Sequence, residues 1–190
     1  MTTYVTTQPA VLDGFQAIFE PSPKYNKHTL QAVIDDEHID AMTAERERCL
    51  EWARSKSKQP NRVVVKYEPW EEVSKGKYKV KFSWDPEMKV PIVDSKGTVI
   101  DKFMRLDSGS KVKLVWEQGP YVMPDAIGTR LKIRAIQIIQ AQGNGLVDGG
   151  GSIDAEAAAA MFGISEGGFT IDEPNISVEK AELIAQGAEF

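Results

Sequence analysis

The sequence predicts a mainly β protein: an antiparallel β-barrel with one inserted helix, followed by a flexible acidic tail. Beyond residue 60, apolar residues recur with a period of two over about eighty residues. Turn-forming residues interrupt this pattern at positions 75–76, 95–97, 108–109 and 119–120. Many short strands must each bury one face and protect their edges, and a closed barrel satisfies both needs.

The chain begins with two predicted strands joined by a loop. Residues 14–20 and 29–34 are short apolar runs, and Pro and Asn residues between them supply turn chemistry. Lys24, Tyr25 and Lys27 lie on this loop. The loop therefore combines two cations with an aromatic ring.

A single helix is predicted over residues 36–56 from the spacing of its apolar residues. These residues, which recur at intervals of three, four and seven, are Ile39, Met42, Cys49, Leu50 and Ala53. Asp35 or Asp36 is expected to cap the start of the helix, and basic residues fall in its last turn. Cys49 is the one cysteine of the chain, so we interpret it as a packing residue in a reducing compartment.

Four strands are predicted after the helix, at residues 62–67, 77–84, 111–116 and 130–140, with a weaker hairpin near 90–100. Glycines then dominate residues 143–151, which disfavours a packed element. We therefore predict a barrel domain over residues 1–142 and a glycine-rich linker with an acidic tail over residues 143–190.

Charge is divided along the chain in the same way. Residues 141–190 hold one basic and nine acidic residues, which leaves 22 basic and 19 acidic residues in residues 1–140. The barrel is thus net +3 and the tail net −8, so the barrel can present a basic surface to a polyanion. No apolar run approaches the roughly 18 residues of a membrane span, and the first ten residues lack the cationic region and apolar core of a secretory leader. A cytoplasmic protein without a membrane partner is expected.

Three of the predicted strands alternate cations with apolar residues, so that one face is core and the other is basic. The cations of these stretches are Lys75, Lys77, Lys79, Lys81, Lys111, Lys113, Arg130, Lys132 and Arg134. No acid alternates with them within these stretches, which favours binding of phosphates. The alternative is a solvated face that protects the barrel from edge-to-edge aggregation.

Aromatic side chains add a second requirement for binding single strands, because unpaired bases stack on rings. The candidates are Tyr25, Tyr67, Trp70, Trp84, Trp116 and Tyr121. Trp84 and Trp116 share the parity of core positions, so Tyr25, Trp70 and Tyr121 are the preferred stacking residues.

The end of the chain is acidic, contains scattered apolar residues and finishes on an aromatic residue. The residues expected to contact a protein partner are Asp172, Glu173, Glu179, Glu182, Glu189 and Phe190. Such a terminus can enter an apolar pocket with a basic rim. A solubilising tail is equally compatible with this composition.

Three stretches, PKYNKHTLQAVIDD, LDSGSKVKLVWEQGPYVMPDAIGTRLKIRAIQIIQ and the terminal AEF, resemble the single-stranded-DNA-binding proteins of tailed bacteriophages. The resemblance implies an OB-fold barrel that binds single-stranded DNA during DNA replication or recombination in an infected bacterial host. It also implies a tail that recruits phage or host replication proteins and competes with DNA for the groove. Lys180 interrupts this tail, which differs from the denser acidic tails of that family.

The DNA-binding set expected on these grounds combines the cationic strands with the loop and strand-end residues. It comprises Lys24, Tyr25, Lys27, Lys66, Trp70, Lys77, Lys79, Lys81, Lys111, Lys113, Tyr121, Arg130, Lys132 and Arg134. Binding is expected to be independent of sequence, and a homo-oligomer is compatible with the sequence.

No catalytic residue, metal or cofactor is predicted. His28, His38 and Cys49 lack the paired spacing of a zinc site. The acids of residues 35–40 are the type of ligand that Mg²⁺ prefers, so a metal-dependent nuclease is one alternative, although helix-start acids explain them more simply. A virion structural or assembly protein, with a barrel that does not bind nucleic acid, is the other.

Overall fold

The computed structural model describes residues 1–142 and the backbone of Leu146–Val147. A 3-10 turn at Asp36–His38 leads into the helix α1 (Ile39–Lys56). The strands are β1 (Thr3–Val5), β2 (Ala10–Leu12), β3 (Ala17–Ser22), β4 (Lys27–Asp35), β5 (Val64–Val65), β6 (Trp70–Ser74), β7 (Lys77–Trp84), β8 (Ile92–Val93), β9 (Phe103–Met104), β10 (Lys111–Val122), β11 (Ala126–Gln140) and β12 (Leu146–Val147). The predicted mainly β fold with one inserted helix is confirmed for this part of the chain. The linker and tail predicted for residues 143–190 lie outside it, apart from β12.

The strands wrap into an OB-like barrel. An antiparallel ladder runs from β10 through β2 and β4 to β7. β11 pairs with β10 on one side and, in parallel, with β8 on the other. Because β8 follows β7 in the chain and β7 also contacts β11, the two ends of the sheet are brought together. This arrangement resembles the partly open, five-stranded barrel of the OB fold.

β2 and β3 are two parts of one strand that lies along β4 and is interrupted at Gly14. Gly14 has φ of +91°, a conformation that favours glycine. The side chain of Gln16 replaces the interrupted ladder: its Nε2 donates to the carbonyl of Gln31 at 2.8 Å, and its Oε1 accepts from the Gln31 N–H at 3.1 Å. The first strand therefore stays bonded to β4 across the interruption, and pairing resumes at Ala17, opposite Thr29.

The ladder between β4 and β7 pairs eight residues without a shift in register. Leu30 faces Phe82 and Ala32 faces Val80, and all four side chains are buried. The strand predicted at residues 77–84 has the observed bounds. Its alternation of apolar and cationic residues therefore reflects an inner and an outer face, and the predicted burial of Trp84 and Trp116 is confirmed.

The end of the sheet formed by β10 and β11 differs from prediction in one respect. The turn predicted at residues 119–120 is wrong, because Gly119 and Pro120 lie inside β10, opposite Arg130 and Thr129. The chain reverses instead at residues 123–125. Pro120 lies past the last pair of β10 with β1, at Glu117, and proline is tolerated where a strand has an open edge.

Two further strand predictions need adjustment. The strand predicted at residues 62–67 is reduced to β5, a two-residue parallel pairing with the start of β11. The hairpin predicted near residues 90–100 is present as β8 and a bridge between Val93 and Val99. Within the stretch predicted to lack packed elements, β12 pairs antiparallel with β9.

A bulge interrupts the alternation in β11. Val115 pairs with Ala135, whereas the next residue of β10, Trp116, pairs with Ile133. Arg134 is therefore the extra residue. Ala135 consequently lies on the outer face, where it packs with Val115 and with Val93 in a second, smaller apolar cluster.

Helix α1 confirms the predicted helix but not its cap. Asp35 precedes the 3-10 turn, His38 precedes α1, and neither makes a side-chain cap hydrogen bond. Asp35 instead forms an ion pair with Lys77. Burial raises the pKa of the Cys49 thiol, as befits a packing residue. In the part of the chain that the structure describes, no helix combines the length and apolarity needed to cross a bilayer.

The helix also buries two charged residues that anchor neighbouring segments. Glu45 accepts hydrogen bonds from the Tyr4 hydroxyl and the Thr2 N–H, both at 2.8 Å. Arg46 donates to Thr129 Oγ1 at 2.9 Å and to the Lys66 carbonyl at 2.5 Å. These bonds fix β1 and the segment after β5 against α1.

Replacing Tyr4 with Phe is expected to lower the free energy of unfolding by about 1–3 kcal/mol, because one oxygen of the buried Glu45 carboxylate loses its donor. Burial, followed by the hydrogen bond to Glu45, raises the pKa of Tyr4, so the donating hydroxyl is neutral at pH 7. Urea denaturation measures the change. Tyr25→Phe, at an exposed loop position, is the matched control and is expected to change stability by less than about 0.5 kcal/mol. Equal effects of the two variants would contradict the role of the Tyr4–Glu45 bond.

Candidate nucleic-acid interface

The outer face of the β4–β7 ladder carries the three lysines of β7, at the alternate positions Lys77, Lys79 and Lys81. Because the side chains of a strand alternate, these lysines point away from the buried Val80 and Phe82. The facing pairs on this surface are Asp35 with Lys77, Val33 with Lys79, and Gln31 with Lys81. In an OB barrel, these two strands correspond to the face that binds oligonucleotides.

Lys111 joins this surface through the register of the neighbouring strands. Lys111 faces Val11, Val11 faces Val33, and Val33 faces Lys79. With about 4.8 Å between neighbouring strands, Lys79 and Lys111 are separated by about 14 Å along this row. We call the surface formed by Lys27, Lys77, Lys79, Lys81 and Lys111 the β7 cationic face.

Acids from neighbouring strands and loops lie among these lysines, contrary to the acid-free surface predicted from the strands taken singly. The ion pairs are Lys77 with Asp35, Lys79 with Asp13 at 2.9 Å, and Lys27 with Asp85 at 3.4 Å. Glu71 of β6 also stands opposite Lys79. All of these pairs are partly or largely exposed, and such pairs contribute only about 0–1 kcal/mol. A phosphate can therefore replace a carboxylate partner at little cost.

The remaining strand cations form a second group along β10 and β11. Lys132 faces Glu117, which is six residues along β10 from Lys111, or about 20 Å at the rise of a strand. Arg134 binds Glu117 through Nη2 at 2.6 Å. The apolar cluster of Val93, Val115 and Ala135 lies between Lys132 and Lys111 along the ladder. Lys132 and Arg134 therefore lie apart from the β7 cationic face, and the single surface of nine cations expected from the sequence is corrected.

The other predicted cations are distributed between these regions. Lys113 is half-buried and faces Gln137 on the outer side of β10. Arg130 is exposed opposite Gly119, close to Lys132 in sequence and in the ladder. Lys66 is exposed beside the start of β11, since its N–H donates to the Ile127 carbonyl at 2.9 Å.

Tyr25 is the most accessible of the three preferred stacking residues. It lies on the loop between β3 and β4, is 68% exposed, and has the ammonium of Lys24 5.1 Å from its ring centroid. The loop is held by the Ser22 carbonyl, which accepts from the N–H groups of Tyr25 and Asn26. A base can therefore stack on the exposed ring next to two lysines.

Trp70 and Tyr121 have packing partners within the barrel. Trp70 is half-buried and packs against the main apolar core. Tyr121 lies over Gly128 so closely that a Cβ atom at Gly128 would come within 2.6 Å of the Tyr121 Cζ. The sequence did not single out Phe15, which lies in the apolar run of residues 14–20, or Trp52, which lies within the predicted helix. They are 59% and 51% exposed. Tyr67, considered but not chosen, is 93% exposed.

Two of the four acids in residues 35–40, Asp35 and Glu37, have partners within the protein. Glu37 accepts from the N–H and the hydroxyl of Thr7, and Asp35 pairs with Lys77. Among the described residues, no group of three or more His, Cys, Asp or Glu side chains is arranged to hold a metal. His28 stacks on Trp84 and His38 bonds the Val5 carbonyl. The residues predicted to contact a protein partner, in the tail, lie outside the described part of the chain.

Solved proteins of two bacteriophages have a fold similar to that of this chain. The chain is similar to gp2.5, a single-stranded DNA binding protein encoded by bacteriophage T7, with 16% identity, a TM-score of 0.59, and coverage of 76% of this chain and 94% of that one. It is also similar to the single-stranded DNA-binding protein of bacteriophage Enc34, with 9% identity, a TM-score of 0.54, and coverage of 77% and 87%. This chain has their fold.

The resemblance found in the sequence is thus confirmed at the level of the fold. A structure of the Enc34 protein in complex with single-stranded DNA matches over 74% of this chain, with 7% identity and a TM-score of 0.52. No protein-family model matches the chain, and no curated protein matches it.

Replacing Tyr121 with Ala is expected to reduce stability rather than DNA affinity, because its ring covers Gly128 in the barrel wall. We expect a loss of about 1–3 kcal/mol in the free energy of unfolding, with the affinity for oligo(dT) changed less than twofold. Tyr25→Ala, on its exposed loop, is expected to show the reverse: unchanged urea denaturation and weaker binding. Loss of affinity without loss of stability in the Tyr121 variant would return this residue to the stacking set.

Proposed function

We propose that this chain binds and protects single-stranded DNA without sequence preference during phage DNA replication or recombination. The observation that carries the proposal is the β7 cationic face, which lies on the strands that bind oligonucleotides in OB barrels. The neighbouring loop adds Tyr25, a ring on which a base of any identity can stack. Fold neighbours include a single-stranded-DNA-binding protein solved with its DNA.

Binding would involve no covalent step. Phosphates replace the carboxylates that pair with the lysines in the free protein, and released counterions drive association. Loop aromatics hold unpaired bases, which excludes a duplex from the same contacts. The cations of the second group, on β10 and β11, extend the phosphate path only if the strand wraps around the barrel.

We also propose that the chain is divided into a DNA-binding barrel, residues 1–142, and a linker with an acidic tail, residues 143–190. The net charges of +3 and −8 support a tail that competes with DNA for the barrel and presents its last residues to replication proteins of the phage or host. The protein would then act in the cytoplasm of the infected bacterium.

Affinity for fluorescein-labelled oligo(dT), measured by anisotropy across a salt series, tests the DNA-binding role. If about four phosphates are neutralised, the logarithm of the association constant falls with the logarithm of salt concentration at a slope near −3. Lys81→Gln is expected to make the slope less negative by about 0.7, because it removes one phosphate contact. Lys56→Gln, at the exposed end of α1, is the matched control and should leave the slope unchanged.

Absence of oligo(dT) binding at low salt would reject this function. The alternative of a virion structural or assembly protein would then be preferred. A nuclease would instead degrade the oligonucleotide in the presence of Mg²⁺, and substitution of Asp36 and Asp40 would abolish that loss.

The competition by the tail is tested with a chain that ends at Asp148, which retains β12. This shortened chain is expected to bind oligo(dT) more tightly than the full chain at low salt, because it lacks eight acidic residues and one basic residue. The difference should diminish as salt screens the charges. Equal affinities of the two chains at low salt would contradict the proposed competition.

A further inference from the structure

A groove of about 630 Å³ lies beside the β7 cationic face, and none of the predicted DNA-binding residues lines it. Residues 14–23 form one wall, and residues 103–108 form the other. The Ser108 hydroxyl closes one end, accepting from the Gly14 N–H at 2.9 Å. The first strand forms this wall along the stretch between Ala17 and Ser22, where its pairing with β4 is irregular.

Three phenylalanine side chains line the groove: Phe15, Phe19 and Phe103. Phe15 is 59% exposed there and presents the accessible ring. Phe19 is half-buried against the main core, and it meets Phe103 edge to face with 6.3 Å between ring centroids. An exposed phenylalanine ring offers a flat apolar surface with no polar atom. Such rings bind flat, unpaired bases by stacking.

Cations stand at both ends of the groove. At one end, the ammonium of Lys79 lies 3.5 Å from the position of a Cβ atom on Gly14. At the other end, the wall continues through Pro23 into the loop that carries Lys24 and Tyr25. A strand whose phosphates follow these lysines would bring its bases over the groove.

The charged side chains of the groove favour bases over phosphates as its occupants. Glu20 is exposed on one wall and repels phosphates, whereas Asp107 on the other wall is paired with Arg105 at 2.9 Å. The guanidinium plane of Arg105 can itself stack on a base. An extended peptide is a poorer occupant, because Pro21 and Pro23 lack the N–H groups that would pair with an added strand.

We propose that this groove is a base-stacking site for single-stranded DNA, in which Phe15, Phe19 and Phe103 hold bases while the β7 cationic face holds the phosphates. The proposal rests on the proposed function and adds to it a binding site for the bases. It assigns the principal stacking role to the first strand and the segment at residues 103–108, in addition to the loop ring of Tyr25.

The test compares oligo(dT) with an abasic oligonucleotide of the same length, which has the phosphates but no bases. Phe15→Ala is expected to weaken binding of oligo(dT) by roughly 5- to 150-fold, the range of one base stack. Its affinity for the abasic strand, and the salt slope, should stay unchanged. Phe15→Trp keeps a stacking surface and is expected to retain the affinity for oligo(dT).

Trp52→Ala is the matched control, since it removes an aromatic ring of similar exposure from α1, beside Lys132. It should leave both affinities unchanged, and unaltered urea denaturation of the Phe15 variants verifies their folding. If wild type binds oligo(dT) and Phe15→Ala binds it equally well, the groove is not a base site and the inference alone fails.

Three other outcomes would also decide the matter. Equal weakening by Phe15→Ala and Trp52→Ala would overturn the inference, because the effect would not be specific to the groove. The inference would also be overturned if Phe15→Ala kept its affinity for oligo(dT) but no longer bound a peptide of residues 171–190. The groove would then be a peptide site. Failure of wild type to bind oligo(dT) at all would instead reject the proposed function.

Discussion

The unbroken register between β4 and β7 is the constraint on which both the core and the candidate interface depend. Side chains of a strand alternate between faces, so a slip of one residue would exchange every inward residue of β7 for an outward one. Phe82 and Trp84 would enter water, and Lys79 and Lys81 would enter the core. Burial of even one unpaired ammonium costs several kcal/mol. The same alternation thus fills the barrel and places the lysines outside.

Local patterns in the sequence were sufficient where a segment's structure depends on its own residues. Helix α1 has one buried stripe that includes Met42, Leu50 and Ala53, and β7 alternates strictly over its whole length. Both elements were predicted nearly to their observed bounds. The loop between β3 and β4 was likewise predictable, because Pro23 and Asn26, which has φ of +49°, interrupt the strand there.

Features that arise from pairing between distant segments could not be predicted from local sequence patterns. Gly119 and Pro120 have the composition of a turn, yet β11 pairs with them and keeps them in β10. The cations of β7 appeared free of acids because Asp13 and Asp35 come from other parts of the chain. The groove beside Gly14 was missed for the same reason, since its two walls are about ninety residues apart in sequence.

The bulge at Arg134 has a consequence for comparing this chain with distant relatives. It offsets the alternation, so residues before and after it in β11 follow opposite parities relative to the barrel interior. At identities of 7–16%, an alignment that permits no gap at this position would match core residues of one half with surface residues of the other. In a relative whose strand has no bulge here, the core residues of both halves can face the interior only if the strand is one residue shorter at this position. We therefore expect the length of this strand to vary at the bulge among relatives.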